Sequence, residues 1–198
     1  MNTSAPILLF DLGGVLIESE MFSELGKLMS SEKSVPDLVE LWLENPLTRE
    51  FELGRCSADD FSRSIVTELN LAIDSKGFLA AFKRWGKGFN SDVEVLIAEL
   101  TASHIVCCLS NSNEVHWPGI STHLFHHAFS SHLIGHIKPD SSAFEYVLDE
   151  ISAQANDVYF FDDALLNIES ASQLGINAYH TPGFDSVKSQ LKQLEFLH

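Results

Sequence analysis

Apolar and polar positions follow three different rhythms along this chain. Residues 6–10, PILLF, form an apolar run that stops at Asp11 and meets Gly13-Gly14. A short run of this kind, bounded by glycines, predicts a buried strand that ends at its carboxyl edge. Between about residues 19 and 88 the apolar positions recur at helical spacing, over 21–29, 35–43, 61–69 and 78–85. Ser57 and Asp74 stand ahead of the third and fourth stretches as N-caps, and no strand pattern interrupts them. From Ser91 onward the pattern alternates. Helical periodicity over 93–100, 142–151, 165–174 and 187–196 is interleaved with an apolar extended run at 104–109 and extended runs at 158–161 and 177–180.

Alternation of helix and buried strand means a parallel sheet with helices packed on its faces. The predicted fold class is therefore α/β, a Rossmann-like parallel sheet core with helices on both faces, carrying an inserted all-α unit. Residues 1–17 and 88–198 make the core and residues 18–87 the insertion, so the first strand is separated from its partners by about seventy residues of helix. In open parallel sheets, ligands bind outside the carboxyl ends of the strands. The side chains that follow each apolar run are thus the ones to weigh.

Composition narrows the possibilities. The chain has 198 residues, 45% of them hydrophobic, which suits a folded domain with a sizeable core. No apolar run approaches the ~20 residues of a membrane span, and the N-terminus lacks the basic segment of a secretory signal, so a cytoplasmic location is expected. Cys56, Cys107 and Cys108 are odd in number and two are adjacent in an apolar run, a pattern of reduced thiols. The net charge of −16 argues against nucleic acid and anionic membranes as partners. Its distribution says more. The insertion holds nine of the twelve cations and thirteen acids, whereas the rest of the chain holds three cations against fifteen acids, with Lys138 alone between Lys87 and Lys188.

Four strand ends or following loops carry polar groups: Asp11, Ser110-Asn111, Lys138-Pro139-Asp140, and Asp162-Asp163. Brought together they supply carboxylates, a hydroxyl, an amide and one cation, the set that metal-assisted chemistry on a phosphate requires. Two adjacent acids after an apolar run are costly to hold without a cation. Seven histidines between His104 and His136 match no zinc spacing and read as core or surface residues. Asn167 and Glu169 read as facing solvent or the helix terminus. Arg84-Trp85, near the end of the insertion, is the pair there most suited to face a substrate.

In their order and spacing, FDLGGVL around Asp11, LSNSN around Ser110, IKPD around Lys138 and FFDDALLNIESASQLG around Asp162-Asp163 resemble the four motifs of the haloacid dehalogenase-like hydrolases. Within that superfamily the chain is most similar to sugar-phosphate phosphatases that act on glucose 1-phosphate and carry a small helical cap, in the place of residues 18–87. The resemblance implies a phosphatase for a small phosphorylated metabolite. Asp11 would attack phosphorus and form an aspartyl-phosphate, Ser110 and the amide of Asn111 would bind the phosphoryl oxygens, and Lys138 would pair with both phosphate and Asp11. Mg²⁺ would be held by Asp11, the Gly13 carbonyl and Asp163, with Asp162 ordering the metal's water shell or Lys138.

One departure matters. Most phosphatases of this family carry a second Asp two residues after the nucleophile, as acid for the leaving alcohol and base for water; here that position is Gly13. General acid–base help is worth about 10²–10⁴-fold. Either the leaving group departs with little protonation, as an anomeric hydroxyl can, or a group of the insertion such as Glu18 or Glu20 supplies the proton. Two other functions accommodate Gly13: dehalogenation of a 2-halo acid, which needs no acid for halide but has no use for a metal, and binding of a phosphorylated ligand without turnover.

Overall fold

The computed structural model describes residues 5–18, 20–29, 33–86, 88–89 and 91–197. Lys87, the expected end of the insertion, lies outside the described residues. Five parallel strands form one sheet: β1 (Ile7–Phe10), β2 (Ile105–Ser110), β3 (His127–Ser130), β4 (Val158–Asp162) and β5 (Asn177–His180), in the spatial order β3-β2-β1-β4-β5. β1 is central, with Phe10 level with Cys108 on one side and Phe161 on the other. Register then carries to the edges, Ser110 beside Ser130 and Asp162 beside His180. The carboxyl ends of all five strands thus lie on one side of the sheet.

Strands buried on both faces must be apolar throughout, and Leu8, Leu9 and Phe10 are completely buried. One face packs against α6 (Ser91–Thr101) and α10 (Phe184–Gln193), through Val93, Ile97, Val187 and Leu191. The other packs against α8 (Ser141–Glu150) and α9 (Leu165–Gln173), through Phe144, Val147 and Ala171. A one-turn helix, α7 (Ser131–Ile134), follows β3. Both β3 and α7 are absent from the pattern-based expectation, because HAFS carries a histidine and a serine in a short edge strand and breaks the apolar run. No helix among the described residues is long and apolar enough to cross a membrane.

Among the described residues, five helices lie between β1 and α6: α1 (Met21–Leu28), α2 (Val35–Glu44), α3 (Pro46–Glu52), α4 (Ala58–Glu68) and α5 (Ser75–Trp85). Their caps follow the sequence. Ser57 and Asp74 accept from the backbone N–H groups of Asp60 and Gly77, and Ser34 forms a capping box with Asp37. These helices bury a core of their own, built around Trp42, Phe51, Phe61, Phe78 and Phe82, with Phe51 stacked on Phe61 at 4.2 Å. Helix α3 was not expected from periodicity. Asn45 starts it, accepting from the N–H groups of Leu47 and Thr48, and Pro46 fits its first position.

The insertion rests on the loops that leave β2 and β3. The His116 Nε2–H donates to the Phe82 carbonyl at 2.7 Å, with the two rings 4.2 Å apart. Glu114 accepts from the N–H of Ala58 at the start of α4, and Arg49 of α3 pairs with Asp140. Gly54 has φ +69°, and a Cβ there would overlap the backbone carbonyl of His132. Only glycine allows both the turn and the close approach at that position.

Candidate active site

Asp11 ends β1 and continues the sheet, its N–H donating to the Phe161 carbonyl at 2.9 Å. This pins its backbone, and the side chain emerges at the strand ends, 8% exposed. Lys138 arrives from the loop before α8. Its Nζ donates to Asp11 Oδ1 at 2.8 Å and to Asp162 Oδ2 at 2.6 Å, and lies 5.3 Å from the centroid of Phe160. Asn111 holds this loop in place. Its amide group donates to the Lys138 carbonyl at 2.9 Å and its Oδ1 accepts from the Lys138 N–H at 3.0 Å. The Asn111 side chain is therefore spent on the backbone of the lysine. Ser110, buried at the end of β2, stands in the same row of strand ends.

Asp162 is fully buried and accepts four hydrogen bonds, from Lys138, from the Ala164 N–H at 2.8 Å, and from the Asn167 amide to each oxygen at 3.0 Å. Asp162 thus bonds directly to Lys138, one of its two expected partners. Of the two places expected for Asn167, solvent or the helix terminus, it takes the second: it lies buried on the first turn of α9, where its amide completes the shell of Asp162. A polar residue five positions after the acid, on the inward side of the following helix, was the available signal. Glu169 is exposed, as expected.

Asp163 turns the other way. Its backbone carbonyl accepts from the His180 Nε2–H at 2.9 Å, and its carboxylate lies over Gly14, where a Cβ would overlap it. Gly14 has φ +74° and its carbonyl accepts from the Gly183 N–H at 2.7 Å. Glycine is required there by conformation and by the close approach of Asp163. Gly13 differs: a Cβ on it would meet nothing within 4 Å. Space does not explain the missing second aspartate.

Carboxylate oxygens of Asp11, Asp162 and Asp163 all lie within 4.8 Å of one another. Burial, offset by Lys138 and reinforced by the charge of Asp162, raises the Asp11 carboxyl to about 7. Burial and Asp162 also raise Asp163. Lys138 is pushed the opposite way from a lone buried lysine: burial lowers it, but Asp11 and Asp162 together outweigh that and raise it. One lysine among three carboxylates leaves negative charge uncompensated in a partly buried pocket. A hard divalent cation suits such a donor set, and Asp11 and Asp163 hold the oxygens not already bonded as heavily as those of Asp162.

On the insertion side, Glu18 and Glu20 are both exposed. Glu20 lies with Glu24, Lys27 and Arg84 along a groove that contains none of the strand-end residues. Trp85 is 7% exposed and packs edge-on against Phe78 and Phe82 in the core of the insertion, and with Arg84 it lines that same groove, away from the strand-end residues. The carboxylate that feels both Asp11 and Lys138 is Glu52, at the end of α3. Among the described residues the histidines gather into no metal cluster. His126 Nδ1 accepts from the Val106 N–H, and His132 and His136 pair with Ser130 and Ser142.

No family model matches the chain. Among characterised proteins it is similar to the sesquiterpene phosphatase astK of Aspergillus oryzae, 24% identical over 98% of both chains. It is similar also to the D-ribitol-5-phosphate phosphatase of Bacteroides thetaiotaomicron, 24% identical over 87% of this chain and 89% of that one. A HAD-family enzyme from Bacteroides thetaiotaomicron, crystallised as a magnesium complex, superposes with a TM-score of 0.72 at 22% identity, covering 88% of this chain and 92% of the other. A solved dehalogenase shares the fold at a TM-score of 0.68 and 16% identity, over 98% of each chain. The architecture is that of the haloacid dehalogenase-like hydrolases.

Proposed function

We propose that this protein, which has the fold of the haloacid dehalogenase-like hydrolases, is a Mg²⁺-dependent phosphatase for a small phosphorylated metabolite, with Asp11 as its nucleophile. The observation that carries the reading is the arrangement of Asp11, Lys138, Asp162 and Asp163 at the strand ends: a carboxylate beside one lysine and within 4.8 Å of two more acids. Dehalogenation would use the Asp11 carboxylate but leave the second and third acids without purpose. Binding alone would not need a carboxylate held at 2.8 Å from a lysine in so buried a place.

When bound, Mg²⁺ supplies positive charge to the phosphoryl oxygens and offsets the acids; Asp11, Asp163 and the Gly13 carbonyl would hold it. The residues of the chain do the rest. Lys138 screens the repulsion between Asp11 and the incoming phosphate dianion, and Asp162, locked by Asn167 and Ala164, fixes where that lysine points. Ser110 and the backbone amide of Asn111 bind phosphoryl oxygens. An Asp11 oxygen bonds to phosphorus as the bond to the leaving oxygen breaks, and the departing alkoxide takes up a proton. Water then adds to phosphorus, the bond to Asp11 breaks, and phosphate leaves. The helical insertion of residues 18–87 acts as the cap, closing over the leaving group through its seats on the loops after β2 and β3.

For the substrate we favour a phosphorylated sugar or polyol. The groups near Lys138, Glu52 and Arg49 from the insertion and Asp140 from the core, are hydrogen-bonding rather than apolar, and one relative acts on ribitol 5-phosphate. The test is a phosphate-release screen over sugar, polyol, prenyl and aryl phosphates, with Mg²⁺ or EDTA, and with Asp11→Asn as the blank. The expected result is Mg²⁺-dependent release that Asp11→Asn lacks. Release that survives EDTA, or equal release by Asp11→Asn, overturns the reading; preference for prenyl phosphates overturns the substrate class alone.

A further inference from the structure

We propose that Glu52 is the general acid–base residue of this protein, delivered by the insertion to do what a carboxylate at position 13 does not. This rests on the phosphatase reading above. Three placements hold the Glu52 segment of α3 over the loops beside Lys138 and β3, where its carboxyl feels the charges of Asp11 and Lys138. Arg49, one turn earlier on α3, is paired with Asp140, two residues past Lys138. Gly54, two residues later, sits against the backbone of His132 at the mouth of β3. Phe51, its neighbour, is locked into the aromatic core of the insertion by stacking on Phe61, and one residue further on, ~100° around the helix, the chain faces another way. The segment is therefore fastened to the core on both sides of Glu52 and anchored from behind. The Glu52 side chain is partly buried, and Trp42 Nε1–H donates to its Oε1 at 3.5 Å.

The electrostatics suit an acid that must hold a proton near neutrality and release it. Burial raises the Glu52 carboxyl to about 7; the Trp42 donor and Lys138 act against this, and Asp11 adds to it. The charges that bear on the Glu52 carboxyl are Asp11 at the end of β1 and Lys138 before α8, and α7, which packs on α3, carries the titratable His132. Trp42 on α2 contributes a neutral donor.

In the first half-reaction, the bond between phosphorus and the leaving oxygen breaks as Asp11 bonds to phosphorus, and the Glu52 carboxylic acid gives its proton to that oxygen, releasing neutral alcohol. In the second, the Glu52 carboxylate takes a proton from the water whose oxygen bonds to phosphorus. The bond to Asp11 breaks, phosphate departs, and the protonated Glu52 is restored.

The experiment compares wild type, Glu52→Gln, Glu52→Gln with Gly13→Asp, and Asp11→Asn, all with Mg²⁺, on an alkyl or sugar phosphate and on p-nitrophenyl phosphate, whose leaving group needs no proton. Glu52→Gln should lose about 10²–10⁴-fold in kcat on the alkyl ester. On the aryl ester it should give a burst of nitrophenol followed by slow turnover, with phosphorylated Asp11 accumulating to a level that mass spectrometry detects. The wild-type kcat profile should need a protonated group with an apparent pKa near that of Glu52, and this limb should vanish in the Gln variant. Adding Gly13→Asp, for which the structure leaves open space, should restore part of the loss. Equal losses on both esters without a burst, or an unchanged kcat, overturn the proposal while leaving the phosphatase reading intact. A wild type no more active than Asp11→Asn on every ester removes both.

Discussion

Replacement of Lys138 by Met keeps the length of the side chain and removes its charge. In the wild type, Nζ lies 2.8 Å from Asp11 and 2.6 Å from Asp162, and the three side chains are 1%, 11% and 0% exposed. Asp162 would keep its donors from Ala164 and Asn167. Asp11 would lose its one cation and face the other acids across a partly buried pocket. Breaking a buried ion pair by deleting one partner costs about 3–5 kcal/mol, against a total stability of about 5–15 kcal/mol for a typical domain. The pH dependence separates this from lost packing. Lys138 is raised above its ordinary value in the fold, so the wild-type contribution is fully present below the usual lysine range and is lost only at strongly alkaline pH. In the variant, the carboxyls are pushed upward. Their penalty is complete above the raised values and disappears as pH falls toward 3.8, where the unfolded carboxyls also carry protons. Urea unfolding with EDTA present should therefore show a deficit of about 3–5 kcal/mol at pH 8 that narrows by about 1.4 kcal/mol toward pH 5, where Asp11 carries its proton in wild type and variant alike, with m unchanged. A deficit that is the same at both pH values would refute the electrostatic account and leave only the lost packing of the lysine.

Gly14→Ala should cost about 1–2 kcal/mol for the left-handed backbone and displace Asp163, weakening Mg²⁺ by about tenfold or more; isothermal titration with Mg²⁺ checks this, and unchanged affinity contradicts the placement of Asp163. Asn167→Ala should cost about 1–3 kcal/mol by leaving Asp162 short of donors and lower kcat more than it raises KM, because Lys138 loses its orientation. Gly54→Ala should separate the insertion from the core, seen as faster proteolysis of the α3–α4 turn and a lower kcat/KM; a variant that matches wild type in both would show that the contact with His132 is dispensable.

Much of the fold could be read from pattern. β1, β2 and β4 are apolar runs up to their carboxyl ends because parallel strands covered on both faces tolerate little else. The N-caps at Ser57 and Asp74 are local chemistry, in which a side chain satisfies an N–H three residues on. Pattern failed where structure is short or edge-placed: β3, α7 and α3 have too few residues for a period to show. The strand-end residues were legible for a related reason, since a polar group directly after a buried strand has few structural uses. Trp85 packs into its own bundle, a placement that helical spacing alone does not separate from facing a ligand.

What the sequence determined by itself is the order of elements, the division into core and insertion as an expectation, and the identity of the polar residues at the ends of the strands. These follow from short-range rules, periodicity, capping and the cost of burying a polar side chain. Tertiary structure decided which of those residues meet. Asn167 closes on Asp162, Asn111 holds the backbone of Lys138 rather than offering its side chain, and Glu52 of the insertion feels the charges of Asp11 and Lys138. Each depends on how far one element is displaced over another. A residue's own neighbours in the chain carry no record of that displacement; packing of the aromatic core and the close approach of Gly54 to His132 set it.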